Sequence, residues 1–135
     1  MNTDCRAVAR SRISMQAATL TSVVAHSIKK GDVLEVARFG AVQAAKSSSS
    51  LLPLSSSTLI LTTSVEFILG DDFIDIEVMV QGIGVSCEMP AFSAAAAGAL
   101  SIYDMCKSAD RTMTIGPVEL VERSGHSGTQ WRRVN

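Results

Sequence analysis

The spacing of apolar and polar positions predicts four strands in this chain. Apolar side chains alternate with polar ones over residues 59–69 and again over residues 73–80, which is the pattern of half-buried strands. Gly70-Asp71-Asp72 between them is typical of a hairpin turn. Residues 5–14 form a shorter apolar stretch that we interpret as an edge strand, and residues 112–122 predict the last strand.

Three segments with apolar residues at helical spacing predict helices. The first covers residues 16–28 and the second residues 33–46. Gly31 suits the end of the first helix, and Asp32 is a good N-cap for the second. The third helix is alanine-rich and covers residues 88–108.

The predicted order of elements is β-α-α-β-β-α-β. This order fits an α+β fold of the ferredoxin-like split βαβ type, in which an antiparallel sheet has its helices packed on one face. We expect one domain over residues 1–135, because a chain of this length supports one hydrophobic core. It includes a serine-rich loop at 47–57 and a flexible C-terminal tail at 124–135.

The composition limits the partners of the protein. A net charge of −1 gives no electrostatic basis for binding nucleic acid or an anionic membrane surface. No apolar run approaches the length of a membrane span, because polar residues interrupt each one. Charged residues make up only 19% of the chain, too few to cover a monomer well. We therefore expect a homo-oligomer with apolar surface between subunits.

The cysteines and histidines argue against two further site classes. Cys5, Cys87 and Cys106 are odd in number and widely separated, and the chain contains only two histidines. This pattern predicts neither a disulfide framework nor a metal site. It suits a reducing compartment, so we expect a cytoplasmic protein, or one of an organelle matrix if the source is eukaryotic.

The clearest candidate for chemistry is a charged pair near the end of the third helix. Asp104 and Lys107 are three residues apart and therefore share one helix face. Such a pair is either an acid/base couple or a helix-end ion pair, and spacing alone leaves both open. Ser55-Ser56-Ser57 has no partnered base in sequence, which argues against a hydrolase triad.

Several motifs in order resemble one family. They are Lys30-Gly31-Asp32-Val33-Leu34, Leu52-Pro53-Leu54, Glu88-Met89, Leu100-Ser101-Ile102-Tyr103-Asp104-Met105-Cys106-Lys107 and Met113-Thr114-Ile115-Gly116-Pro117-Val118. They resemble the molybdenum-cofactor biosynthesis protein C (MoaC) family, the cyclic pyranopterin monophosphate synthases. The similarity extends over about residues 3–128.

The resemblance implies a fold, an assembly and a reaction. The fold is a ferredoxin-like subunit, assembled as a hexamer (a trimer of dimers) with active sites at the dimer interface. The substrate is a purine-derived triphosphate, 3′,8-cyclo-7,8-dihydroguanosine 5′-triphosphate, and the products are cyclic pyranopterin monophosphate and pyrophosphate. No cofactor is implied, apart from a divalent cation that would accompany the triphosphate.

The resemblance also assigns roles to residues of this chain. Asp104, Lys107 and Lys30 match the catalytic acid and the two catalytic lysines. The matching substrate-binding residues are Glu88, Met89 and Arg38. A lysine desolvated at an interface can have a lowered pKa and act as acid or base near neutral pH.

Other positions depart from the family pattern. Ser55-Ser56-Ser57 stands where the family has Cys-His-Pro, which puts Ser55 and Ser56 at substrate-contacting positions without an imidazole. Pro90 replaces a second glutamate, and His126 lies near the place of a tail lysine. Each well-placed polar contact is worth on the order of 1–3 kcal/mol. The alternative is therefore a catalytically impaired homologue that acts as a structural or regulatory subunit.

Overall fold

The fold is given by a computed structural model that describes residues 4–55, 57–125 and 130–134. Within these residues five strands and four helices form. In chain order they are β1 (Asp4–Ser14), α1 (Ala17–Val24), α2 (Val33–Lys46), α3 (Ser48–Leu51), β2 (Leu59–Leu69), β3 (Phe73–Ile83), α4 (Glu88–Cys106), β4 (Thr114–Ser124) and β5 (Gln130–Arg132).

The strands form one antiparallel sheet in the order β2-β3-β1-β4-β5. The predicted α+β class with an antiparallel sheet is confirmed, whereas the ferredoxin-like connectivity stays a prediction. The prediction that residues 5–14 form an edge strand is wrong. β1 lies in the centre, with Ala7 opposite Val80 of β3 and Arg123 of β4.

The central position of β1 follows from its small, alternating side chains. Ala7, Ala9, Ser11 and Ile13 all point to one face and are fully buried. Helix α4 covers this face with alanines and glycine, so its backbone comes close enough for the Ser11 hydroxyl to donate to the Ala95 carbonyl at 2.7 Å. This hydrogen bond satisfies a buried hydroxyl that would otherwise destabilise the core.

Helix α2 packs beside α4. Its predicted bounds are confirmed, and the Asp32 side chain accepts a hydrogen bond from the Glu35 amide at 3.2 Å, as an N-cap does. Gly40 marks the contact with α4, since a Cβ there would lie 2.6 Å from the Ser101 hydroxyl oxygen. The glycine allows the two helix backbones to approach closely.

Two segments expected to be irregular contain short elements. The serine-rich loop at 47–57 includes the helical turn α3. The tail predicted to be flexible includes β5, which pairs with the end of β4 through Trp131 opposite Arg123. The first helix ends earlier than predicted, at Val24, because His26 adopts a left-handed backbone conformation with φ of 57°.

Ion pairs cover the sheet face opposite the helices. The three arginines of β1 are spaced four and two residues apart, and these even spacings put all three on this face. The pairs are Arg6 with Glu122, Arg10 with Glu119, and Arg12 with Asp75. No helix among the described residues is long and apolar enough to cross a membrane.

The prediction that the cysteines form no disulfide is wrong. Cys5 and Cys87 are joined by a disulfide, with their Cα atoms 5.6 Å apart. Their separation of 82 residues hid the proximity. Cys5 pairs with Gly82 in the sheet, and the short connection from β3 to α4 then brings Cys87 back beside it.

Candidate active site

The last turn of α4 presents the predicted charged pair. Lys107 donates a hydrogen bond to the Asp104 carboxylate, with 2.8 Å between Nζ and Oδ1. The side chain of Asp104 is 69% exposed, so a ligand can reach the same carboxylate from solvent. The pair is therefore a helix-end ion pair whose carboxylate is open to a ligand, and its acid/base role stays a prediction.

The connection between α1 and α2 brings a second lysine to this turn. Lys30 Nζ donates to the backbone carbonyl of Asp104 at 3.0 Å. Carbonyls at a helix C-terminus attract cations because the last ones lack intrahelical partners. Gly31, with φ of 129°, provides the backbone conformation that turns the chain from Lys30 into α2.

The two ammonium groups lower the pKa of the Asp104 carboxyl. The hydrogen bond from Lys107 is the largest cause, followed by the charge of Lys107 and then that of Lys30. Asp104 therefore stays ionised at neutral pH and can accept a hydrogen bond from a ligand. The arrangement holds one carboxylate and two donors within the reach of a single small molecule.

A cavity of about 540 Å³ lies beside Lys30. Its lining combines cations, hydroxyls and a thiol: Ser22, Ser27, Lys29, Lys30, Cys106 and Ser108. Burial raises the pKa of the Cys106 thiol, which Asp110 raises further against the opposing charge of Lys30. Cys106 is therefore a protonated, unreactive thiol at neutral pH.

Glu88 and Met89 lie at the opposite end of α4. The Glu88 carboxylate faces Arg123 of β4, with 3.1 Å between Oε2 and Nε. The Ser86 hydroxyl accepts a hydrogen bond from the Glu88 amide at 3.0 Å, which satisfies one free N–H of the first turn. Met89 is 39% exposed, and Pro90 is buried.

Two groups of candidate residues do not meet within one chain. The lysine–aspartate group consists of Lys30, Asp104 and Lys107, and the Glu88 group consists of Glu88 and Met89. Asp104 follows Glu88 by sixteen residues in α4, which corresponds to about 24 Å along the helix axis. The structure thus brings Lys30 together with Asp104 and Lys107, and leaves Glu88 and Met89 elsewhere. Within one chain, a small ligand that contacts one of these groups does not reach the other.

The other predicted site residues are Arg38, Ser55 and Ser56. Arg38 donates to the Val65 carbonyl of β2, and its guanidinium carbon lies 5.2 Å from the Phe67 ring centre. Ser55 is half-buried just after α3. Ser56 and His126 lie outside the described residues.

Arg123 is the residue of this region that sequence reasoning missed. If side chains alternated regularly along β4, Arg123 and Leu120 would lie on opposite faces of the sheet. The register, however, shifts between Val8 and Ala9 of β1. This bulge sets Arg123 opposite buried Ala7, on the helix side of the sheet, where it meets Glu88. Nothing in the sequence marks the bulge.

The described residues include no cluster of three His, Cys, Asp or Glu side chains that could hold a metal ion. The cations and carboxylates of the site are instead paired with each other, as Glu88 is with Arg123 and Asp104 with Lys107. The expectation that the protein binds no metal of its own stays a prediction.

A sheet with one helical face and an accessible lysine–aspartate–lysine group define an α+β protein suited to acid/base chemistry on an anionic ligand. Comparison with known proteins narrows this class. A model of the MoaC family matches residues 1–126, and the chain belongs to this family.

The names of similar proteins are consistent with membership of this family. The chain is 39% identical to the cyclic pyranopterin monophosphate synthase of Clostridium acetobutylicum, over 98% of this chain and 84% of the relative. It is 41% identical to the protein of the same name from Natranaerobius thermophilus, over 92% of this chain and 80% of the relative. It is 39% identical to the cyclic pyranopterin monophosphate synthase of Chloroflexus aggregans, over 94% of this chain and 79% of the relative.

Proposed function

We propose that this protein is a cyclic pyranopterin monophosphate synthase of molybdenum cofactor biosynthesis. It converts 3′,8-cyclo-7,8-dihydroguanosine 5′-triphosphate to cyclic pyranopterin monophosphate and pyrophosphate. The observation that carries the proposal is the convergence of Lys30 and Lys107 on Asp104. The names of relatives that align with nearly the whole chain support it.

The geometry suits the chemistry of this reaction. Opening a purine-derived ring and closing a pterin requires proton transfers at several nitrogen and carbon atoms. An ionised Asp104 is a proton acceptor, and the neighbouring lysines are proton donors and hold negative charge. Lys30 and Lys107 also stabilise the phosphate oxygens as the cyclic phosphate forms and pyrophosphate leaves.

The working site is shared between two subunits. The lysine–aspartate group of one chain and the Glu88 group of another provide the contacts that one chain cannot bring together. Exposed apolar side chains on α2 and α4 support association, since Phe39 is 63% and Leu100 is 59% exposed. We propose the hexamer, a trimer of dimers, as the assembled form.

The other predicted substrate-binding residues act in the same assembly. Arg38, Met89, Ser55 and Ser56 contact the substrate from the partner side or from neighbouring loops. A divalent cation reaches the site with the triphosphate, and the protein holds no other cofactor.

Turnover of the purified protein tests the proposal. The assay follows pyrophosphate and pterin product from the cyclised guanosine triphosphate, with Lys107→Ala as the disabled variant. Lys46→Ala is the matched control, because Lys46 is exposed at the far end of α2. We expect turnover by wild type and the control, and none by Lys107→Ala. A folded oligomer without turnover would instead indicate the structural or regulatory subunit.

A further inference from the structure

The Cys5–Cys87 disulfide lies directly beside the Glu88 group. Both cysteines are buried, at 4% and 2% exposure. Cys87 is the residue before Glu88 and occupies the N-cap position of α4, where its carbonyl accepts the Ala91 amide at 3.0 Å. The disulfide therefore ties the N-cap residue of α4 to β1, the central strand of the sheet.

The disulfide lies close to the ion pair that holds Glu88. Arg123, the ion-pair partner of Glu88, lies opposite Ala7 on β1, two residues beyond Cys5. Cys87 itself provides no side-chain hydrogen bond to cap α4. The start of α4 is thus fixed to β1 by the disulfide and to β4 by one ion pair.

We propose that Cys5 and Cys87 form a reversible thiol–disulfide pair whose redox state sets how firmly the Glu88 group binds substrate. The effect on turnover depends on the function proposed above, whereas the pair itself does not. Cys106 takes no part, since it is a free thiol at the other end of α4, away from Cys5 and Cys87.

The reaction is a thiol–disulfide exchange with a small disulfide such as oxidised glutathione. One cysteine thiolate attacks this disulfide and releases one glutathione thiol, and the second cysteine then displaces the other. Two protein S–H bonds are lost, one protein S–S bond forms, and the two electrons reduce the glutathione disulfide to two thiols. Excess reduced glutathione reverses the exchange.

In the oxidised protein, the disulfide holds the Glu88 group in place. Reduction removes the covalent link between the start of α4 and β1, so the hydrogen-bonded amides of Glu88 and Ala91 exchange faster with solvent deuterium. We expect KM for the triphosphate to rise about tenfold on reduction with little change in kcat, because the loss is in substrate binding. The lysine group at the far end of α4 is left in place.

Counting thiols under denaturing conditions tests the pair without substrate. After equilibration with oxidised glutathione we expect one free thiol per chain, and three after full reduction, with Cys5 and Cys87 peptides linked in the mass spectrum. Three free thiols at every glutathione ratio would overturn the proposal. Equal deuterium uptake at residues 86–91 in the two redox states would also overturn it.

Variants separate the pair from the activity. Cys5→Ser and Cys87→Ser should each remove the redox response of KM and of deuterium uptake, while Cys106→Ser should keep both. Wild-type protein read in its two redox states gives the same comparison if a variant fails to fold. Correct thiol counts and uptake with no turnover would contradict the proposed function and leave the redox pair standing.

Discussion

The Lys30 ammonium lies 3.0 Å from the Asp104 carbonyl oxygen, although the two residues are 74 positions apart in the chain. The hydrogen bond uses the backbone of Asp104 and leaves its carboxylate to Lys107 and to a ligand. The α1–α2 connection is therefore fixed to the end of α4 at the candidate active site.

Removing the Lys30 ammonium should abolish most of the activity while the protein stays folded. We expect Lys30→Ala to lower kcat by about 100-fold or more, the usual size of a lost acid/base group. Steady-state kinetics with unfolding curves checks this, with Lys46→Ala again as the control. Activity within twofold of wild type would show that Lys30 only ties the loop to the helix.

The ionisation of Asp104 should depend on Lys107. Because the Lys107 hydrogen bond and charge lower the pKa of the Asp104 carboxyl, its titration midpoint lies below that of an ordinary aspartate. In Lys107→Ala the midpoint should move back up. Carboxyl ¹³C NMR of labelled protein measures both midpoints, and identical values in the two proteins would contradict the ion pair in solution.

Asp110 should stabilise the fold in a pH-dependent way. Its buried carboxylate accepts hydrogen bonds from the Gln16 and Thr112 amides at 2.9 Å each, and from the Thr19 and Thr112 hydroxyls at 2.9 and 2.6 Å. The Gln16 bond is the largest cause, followed by the Thr112 hydroxyl, of the lowering of the Asp110 pKa to about 2. Because this pKa is lower in the folded than in the unfolded state, the stabilisation is complete above the ordinary aspartate pKa and is lost as pH falls from about 4 towards 2.

Asp110→Asn keeps the shape of the side chain but loses one of the two oxygens that accept these hydrogen bonds. We therefore expect the free energy of unfolding at pH 7 to fall by about 1–3 kcal/mol. The difference from wild type should shrink at pH 3. Urea unfolding at both pH values measures it, with Asp71→Asn in the exposed β2–β3 turn as control. A difference that does not change with pH would contradict the assigned role.

Gly82 should be required for the pairing of β2 with β3. A Cβ at this position would lie 2.4 Å from the Leu59 carbonyl oxygen, and a backbone atom cannot move aside as a side chain can. Gly82→Ala should therefore destabilise the protein by about 1–3 kcal/mol. Thermal unfolding compares it with Gln81→Ala, its exposed neighbour in β3, which should have little effect. Equal stability of the two variants would show that β2 is free to shift.

The elements with strong local signals were predictable. The Asp32 cap gave the start of α2, and Lys46 is its last residue as expected. The alternation of apolar and polar residues gave β2 from Leu59 to Leu69. These features depend on side chains within a few residues of each other, which a sequence displays directly.

Features that depend on distant contacts were not predictable in this way. The central place of β1, the bulge that turns Arg123 towards Glu88, and the Cys5–Cys87 link all depend on how strands pair. Asp104 and Lys107 were recognisable from their spacing. The position of Glu88 at the other end of α4 follows from the length of the helix.

The proposed active site is built from two subunits, and mixing two impaired variants at a substrate concentration well below the wild-type KM tests it most directly. Glu88→Gln and Lys107→Ala disable opposite halves, so a mixed dimer has one site with both defects and one intact site. Coexpression with random pairing should restore about a quarter of wild-type turnover, because half of the dimers are mixed and half of their sites are intact. Turnover no higher than that of either variant alone would contradict the shared site.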